Sequence, residues 1–173
     1  CKFCSSNISK FYFFTEIFFL LIGILLVYNY GISLSTVIYT IIIFCFYILF
    51  VLDYKYLYLP LYINLLIVLI GVTFNAKFQL FLDETFLILG ITPISFTLYG
   101  FFFGYSSLWF INFIYKFIKK KDGIGGGDFI LFGGIGSIHG PIALPLILLI
   151  GSFLGCLYLS LIHISEPTRL GFI

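Results

Sequence analysis

Apolar residues fill this chain in long runs, and short polar or Gly/Pro-rich breaks separate them. A bilayer-spanning helix needs about 20 mostly apolar residues. The runs predict helices near 13–30, 34–52, 60–75, 93–118, 128–139 and 141–162, the fifth being short. The stretch 78–92 is ambiguous: Asp83 and Glu84 sit in its middle, which puts it in a loop or at the interface. The runs do not alternate with period two, so helices are preferred to a barrel. The expected fold is all-α, a polytopic membrane helix bundle of about six transmembrane helices.

Composition agrees. Hydrophobic residues make up 62% of the chain and charged residues 9%, against roughly 25% charged in soluble chains. Too few polar groups are available to cover a water-facing surface, so the lipid bilayer is the expected partner and nucleic acid is not. Charge then orients the spans. With the N-terminus in the cytoplasm, that side collects Lys2, Lys10, Lys55, Lys116, Lys119, Lys120 and Lys121. The other side keeps Lys77, beside Asp83 and Glu84, as the positive-inside rule expects. Under this topology Asp53 and Asp128 both lie at cytoplasmic ends of spans and could meet. No removable signal peptide stands out. The opening Cys1-Lys-Phe-Cys4, without an initiator Met, suggests a chain that starts inside a longer protein.

One stretch breaks the apolar pattern most sharply: Asp122-Gly-Ile-Gly-Gly-Gly-Asp128, directly after Lys119-Lys120-Lys121. Consecutive glycines allow a sharp turn and a close approach to another chain, because no Cβ restricts φ and ψ. Asp128 then opens the run Phe129-Ile-Leu-Phe132, as a helix cap or as a piece of chemistry. Asp53 comes directly after the second run, and Pro60 starts the third, where its missing N–H costs nothing. An ionisable residue at membrane depth is a functional candidate by default. The alternative for Asp53 is an interfacial carboxylate paired with Lys55.

Seven acidic residues are present: Glu16, Asp53, Asp83, Glu84, Asp122, Asp128 and Glu166. The topology removes Asp83 and Glu84, and Glu166 lies in an abruptly polar tail. Asp53 and Asp128 remain as the two that abut apolar spans on one face, with Asp122 in the adjacent loop. Two carboxylates within hydrogen-bond range share a proton. The ionised member can take a proton from water attacking a peptide carbonyl, and the protonated one can donate to the oxyanion or the leaving amine. Such a pair titrates as a unit, so neither is assigned as the fixed acid or base. No Ser/His or Cys/His arrangement competes, and Gly125 to Asp128 lacks the Gly-Lys-Ser/Thr ending of a phosphate-binding loop.

Other features have plainer readings. Cys1-x-x-Cys4 reads as half of a tetrathiolate zinc knuckle, or else as two free thiols; Cys45 and Cys156 lie within apolar runs and are poor candidates to complete it. Glu16 reads as a first-turn charge facing headgroups, and Phe11 to Phe14 as an interfacial aromatic anchor. Gly100…Gly104, Gly136…Gly140 and Gly151…Gly155 are small-xxx-small patterns for close helix packing. His139, at the far end of the short fifth span, reads as a turn or interface histidine.

Taken together, these stretches resemble the type IV prepilin peptidases, membrane aspartyl proteases with a G-x-G-D motif. Cys1-x-x-Cys4, Ile8-Ser9, Tyr12 and Glu16 resemble the family's second zinc-knuckle pair and the segment after it. Asp53 with Leu59-Pro60 resembles the first catalytic aspartate and its downstream Leu-Pro. Asp122-x-x-Gly125-x-Gly127-Asp128 resembles the second. The Gly-studded run from Phe129 to Leu161, with Ala143-Leu-Pro145, resembles the family's apolar segment downstream of that aspartate. Three positions depart from the pattern: Ile130 replaces a frequent Lys, Lys55 a frequent acid, and Leu61 the usual Asp after Leu-Pro.

The resemblance implies catalysis by Asp53 and Asp128, with Gly125, Gly127, Asp122 and Pro60 as supporting motif residues and Cys1 and Cys4 as a partial zinc site. It implies residues 1–12 as the remnant of a cytoplasmic Cys-rich segment, 13–162 as the transmembrane peptidase domain and 163–173 as an atypical, truncated or foreign tail. The implied activity is removal of the leader from prepilins or pseudopilins of pilus or type II secretion systems, at the cytoplasmic face of a bacterial inner membrane. Proteolysis would need no cofactor. Zinc would belong to the full-length protein, and S-adenosylmethionine only to an N-terminal region that has no counterpart here. Rival readings are a presenilin-like or preflagellin G-x-G-D peptidase, a small proton-coupled transporter, and a packing protein whose aspartates are only caps.

Overall fold

The computed structural model describes residues 10–78 and 90–165. Six helices and no strands are found among them. The chain divides into two compact units, Cys1–Tyr58 and Leu59–Ile173.

The first unit is a helical hairpin of α1 (Lys10–Tyr30) and α2 (Leu34–Tyr56). Gly31, at φ 64°, makes the turn in a conformation that side chains disfavour. Ser33 caps α2 by accepting from the Thr36 amide at 3.4 Å, and the Thr36 hydroxyl donates back to the Gly31 carbonyl at 2.6 Å. Aromatic side chains join the two helices. Phe19 packs edge-on against Tyr47, with ring centroids 5.0 Å apart, and Tyr30 packs against Tyr39 at 4.8 Å. Helix α2 runs past the expected boundary at residue 52, so Asp53 lies in its last turn. Leu57 stops it in a left-handed conformation, φ 50°, its amide donating to the Asp53 carbonyl at 2.8 Å. Because α1 begins at Lys10, Glu16 falls in its second turn rather than its first.

The second unit contains α3 (Leu61–Phe78), α4 (Pro93–Lys119), α5 (Gly126–His139) and α6 (Leu144–Ser165). Pro93 occupies the first turn of α4, where no intrahelical N–H is needed, and Thr92 caps it by accepting from the Ser95 amide at 3.2 Å. Helix α5 packs against both α3 and α4. It holds 14 residues, which at 1.5 Å each gives about 21 Å, short of the roughly 30 Å hydrocarbon core. The other five helices are long and apolar enough to cross a membrane. The expected all-α polytopic bundle is the observed architecture.

Small residues let α5 sit this close. Gly100 of α4 lies backbone to backbone with Gly136 of α5, and a Cβ on Gly104 would stand 2.6 Å from the Phe132 carbonyl oxygen. On the other side a Cβ on Gly71 of α3 would run into the Ser137 side chain. Two of the three predicted small-xxx-small patterns thus do their packing here, with Gly140 ending α5 at φ 75°. The third does not: a Cβ on Gly151 or Gly155 of α6 would meet nothing within 4 Å.

Lipid offers no hydrogen bonds, so a polar side chain buried in these helices needs a partner inside the protein. Asn64 and Asn75 of α3 are both fully buried. Asn64 Nδ2 donates to the Gly127 carbonyl at 3.0 Å, and Asn75 Nδ2 to the Ser137 carbonyl at 3.1 Å. One helix therefore grips the other at both ends, and α3 and α5 run parallel. Asp83 and Glu84 lie outside the described residues.

Candidate functional site

The Gly-rich stretch becomes the loop from α4 into the first turn of α5, and its residues 122–125 are each held by hydrogen bonds. Lys120 ends α4 in a left-handed conformation, φ 55°, with its amide on the Lys116 carbonyl at 2.8 Å. Asp122 folds back onto α4. Lys116 Nζ lies 3.0 Å from each of its carboxylate oxygens, and Asn112 Nδ2 donates to Oδ1 at 3.3 Å. These two donors, the lysine foremost, hold the Asp122 carboxyl below the usual carboxylate range.

Asn112 also turns its Oδ1 to the loop backbone, accepting from the Gly123 amide at 2.8 Å and the Ile124 amide at 3.1 Å. Ile124 inserts its side chain against the buried cluster of Leu108, Phe129, Phe132 and Leu144. Gly123 passes so near Tyr115 that a Cβ would stand 2.7 Å from its ring.

Helix α5 starts at Gly126 with Gly125 as its cap residue. Asp128 is the third helical residue, and its Oδ2 accepts from the Gly125 amide at 3.1 Å. This is the reaching-back half of a capping box, and a carboxylate there also suits the positive end of the helix dipole. Asp128 is half-buried. The cap, one of the two readings open for Asp128, is therefore present, and a carboxylate so fixed is also held at a defined place.

Of the sharp turn and the close approach expected of the glycines, only the second is found in the form expected. Gly125 has φ −71°, and neither it nor Gly126 nor Gly127 is in the left-handed region. What matters is proximity. A Cβ on Gly127 would stand 3.0 Å from Leu59 Cβ and 3.2 Å from its carbonyl oxygen, while one on Gly126 would meet nothing within 4 Å. The two outer glycines of G-x-G-D are crowded, Gly125 by the Asp128 carboxylate at 3.2 Å, and the middle position is open.

Asp53 lies in the other unit, exposed, in the last turn of α2. Lys55, its suggested interfacial partner, stands with its Nζ over the Phe11 ring, 5.8 Å from the centroid. Pro60 immediately precedes α3. His139 is at the opposite end of α5 from Asp128, its Nδ1 3.3 Å from the Ile135 carbonyl. Cys1 and Cys4 lie outside the described residues. Cys45 is buried in α2 and Cys156 exposed on α6, and among the described residues no three His, Cys, Asp or Glu side chains gather as metal ligands would.

Asn64 and Asn112 carry no motif, and Lys116 reads in the sequence only as one of the cytoplasmic-side charges. The signal was there: an amide side chain inside an apolar run needs a partner, as an acid does.

The model of the type IV leader peptidase family matches residues 39–160. Among curated proteins, a prepilin leader peptidase/N-methyltransferase of Neisseria gonorrhoeae is 30% identical over 66% of this chain and 36% of its own length. One from Dichelobacter nodosus is 26% identical over 91% of this chain and 51% of its own. One from Escherichia coli K12 is 33% identical over 66% of this chain and 47% of its own. The chain thus spans between about a quarter and a half of the length of the curated relatives it matches. No solved structure matches it. With a family model that covers most of the chain, including both Asp53 and Asp128, this multi-pass membrane protein belongs to the type IV leader peptidase family.

Proposed function

We propose that this chain carries the proteolytic centre of a prepilin leader peptidase and that Asp53 and Asp128 are its catalytic carboxylates. The observation that carries the reading is the family match over 39–160, which holds both aspartates in one stretch. Within the second unit, Leu59 backs directly onto Gly127, the neighbour of Asp128. In the proposed reaction one carboxylate takes a proton from water as it adds to the scissile carbonyl. The other, protonated, gives its proton to the forming oxyanion; on collapse the first passes the proton it took from water to the leaving amine, and the second takes back the proton of the tetrahedral hydroxyl. Sharing one proton lets the pair exchange these roles.

The proposed substrates are prepilins or pseudopilins of type IV pilus and type II secretion systems, cut at the cytoplasmic face of a bacterial inner membrane. Five apolar helices and the bacterial origin of the relatives named above support that setting. No step is assigned to zinc or to S-adenosylmethionine. The test is cleavage of a prepilin-type peptide by the chain in membranes. Asp53→Asn and Asp128→Asn each abolish cleavage while the protein stays in the membrane at normal levels. Full processing by either variant sinks the dyad. Proton-driven uptake without cleavage would favour a transporter.

A further inference from the structure

The loop before Asp128 owes its shape to one residue that no motif contains. Asn112 is nearly buried in α4, yet every polar atom of its amide is turned to the loop. Oδ1 takes the amides of Gly123 and Ile124, and Nδ2 reaches the Asp122 carboxylate. Such a contact defines three consecutive residues from a rigid helix. Ile124 carries the constraint into the core, and the chain then enters α5, of which Asp128 is the third residue. At the other end of the loop Asn64 holds the Gly127 carbonyl. With both ends fixed, the rotation and depth of the first turn of α5 are fixed too.

We infer that Asn112 is a positioning residue for the proposed proteolysis: it clamps residues 122–124 so that α5 presents the Asp128 carboxylate in one place. The inference rests on the peptidase reading. A misplacement of about 1 Å in a reacting group costs on the order of 100-fold in rate, whereas substrate contacts made elsewhere would be unaffected. Losing the clamp therefore lowers kcat and leaves KM almost alone.

The hydrogen-bond pattern permits a stringent test, because Asn112 and Asp122 form a donor–acceptor pair whose polarity can be reversed. Asn112→Asp keeps the acceptor for the two amides but sets a second carboxylate against Asp122. Adding Asp122→Asn restores a donor, now from residue 122 to residue 112. Lys116 lies four residues after 112 on the same helix face, so it stays paired with the relocated charge.

The experiment compares the wild-type chain, Asn112→Leu, Asn112→Asp and the reversed pair Asn112→Asp/Asp122→Asn in membranes, with a prepilin-type peptide as substrate. We expect kcat to fall about 10- to 100-fold in Asn112→Leu and Asn112→Asp, with KM within about twofold, and to recover to within about threefold in the reversed pair. Hydrogen exchange at the Gly123 and Ile124 amides reads the clamp without reference to cleavage. It should quicken in Asn112→Leu while the amides inside α4 and α5 keep their protection. Asn112→Asp has the volume of asparagine, so it and its rescue serve if Asn112→Leu does not accumulate. Wild-type kcat in Asn112→Asp and Asn112→Leu, or no recovery in the reversed pair, overturns the clamp alone. No cleavage by the wild type, with Asp128→Asn indistinguishable from it, overturns the peptidase reading instead.

Discussion

Gly100 and Gly136 meet backbone to backbone, each so close that a Cβ on either would collide with the carbonyl oxygen of the other. Helix–helix association in lipid relies on such packing, because burial among apolar tails gives no hydrophobic gain. Alanine at either position should destabilise the chain by about 1–3 kcal/mol despite its better helix propensity. Gly151→Ala and Gly155→Ala, with open space around them, should be neutral or stabilising by up to about 1 kcal/mol. Unfolding of purified protein in mixed micelles, monitored by helical circular dichroism, separates the two pairs.

The two asparagines of α3 should differ in a measurable way. Both hold α5 through Nδ2, but Asn64 Oδ1 is buried with no hydrogen-bond partner among the described residues. Replacing Asn64 with Leu loses one bond and also removes an unsatisfied acceptor, two effects that partly offset each other. Asn75→Leu loses bonds without that relief. We expect Asn75→Leu to cost about 1–2 kcal/mol and Asn64→Leu clearly less. The same micelle unfolding measures both, and equal losses would refute the distinction.

These residues also mark what the sequence conveyed and what it hid. The five long helices were legible because a span is specified by length and apolarity, and neither depends on a neighbour. The position of Asp128 at the head of an apolar run likewise made a cap one of its two readings. The start of α5 two residues earlier, at Gly126, was not legible, because glycine carries no apolar signal. Asn64, Asn75 and Asn112 were visible as polar residues in apolar runs, but which backbone each would hold depends on helix pairing. For Gly125 and Gly127 the close approach was legible, but its partners, Asp128 Oδ2 and Leu59, were not, and no turn in the left-handed region accompanies it.

Those crowded contacts make the three glycines unequal. Gly126→Ala adds a methyl group into open space and should retain cleavage within about twofold while favouring the first turn of α5. Gly127→Ala must displace Leu59, whose Cβ would lie 3.0 Å away. It should lower cleavage at least about 10-fold by shifting α5 against α3. Initial rates on a prepilin-type peptide, normalised to the protein in the membrane, compare them. Equal rates in the two variants would remove Leu59 from the account of the motif.

Acid should loosen the loop before it loosens the helices. The Asp122 carboxyl is held below its ordinary range by Lys116 and then by Asn112. A group with a depressed folded value contributes its stability above the unfolded value and loses it as pH falls through the folded one. The contribution is therefore present at neutral pH and fades below the ordinary carboxylate range. It is local, because the Asp122 side chain is 61% exposed and water screens the ion pair. Hydrogen exchange at Gly123 and Ile124, corrected for intrinsic rates, should accelerate through that acid window in the wild type. In Asp122→Asn, where nothing titrates at this position, the corrected rates should stay level. Protection inside α4 should stay constant in both, since its hydrogen bonds do not depend on the state of Asp122. A wild-type loop whose protection ignores acid would show that Asn112 and Ile124 hold it without help from the charge.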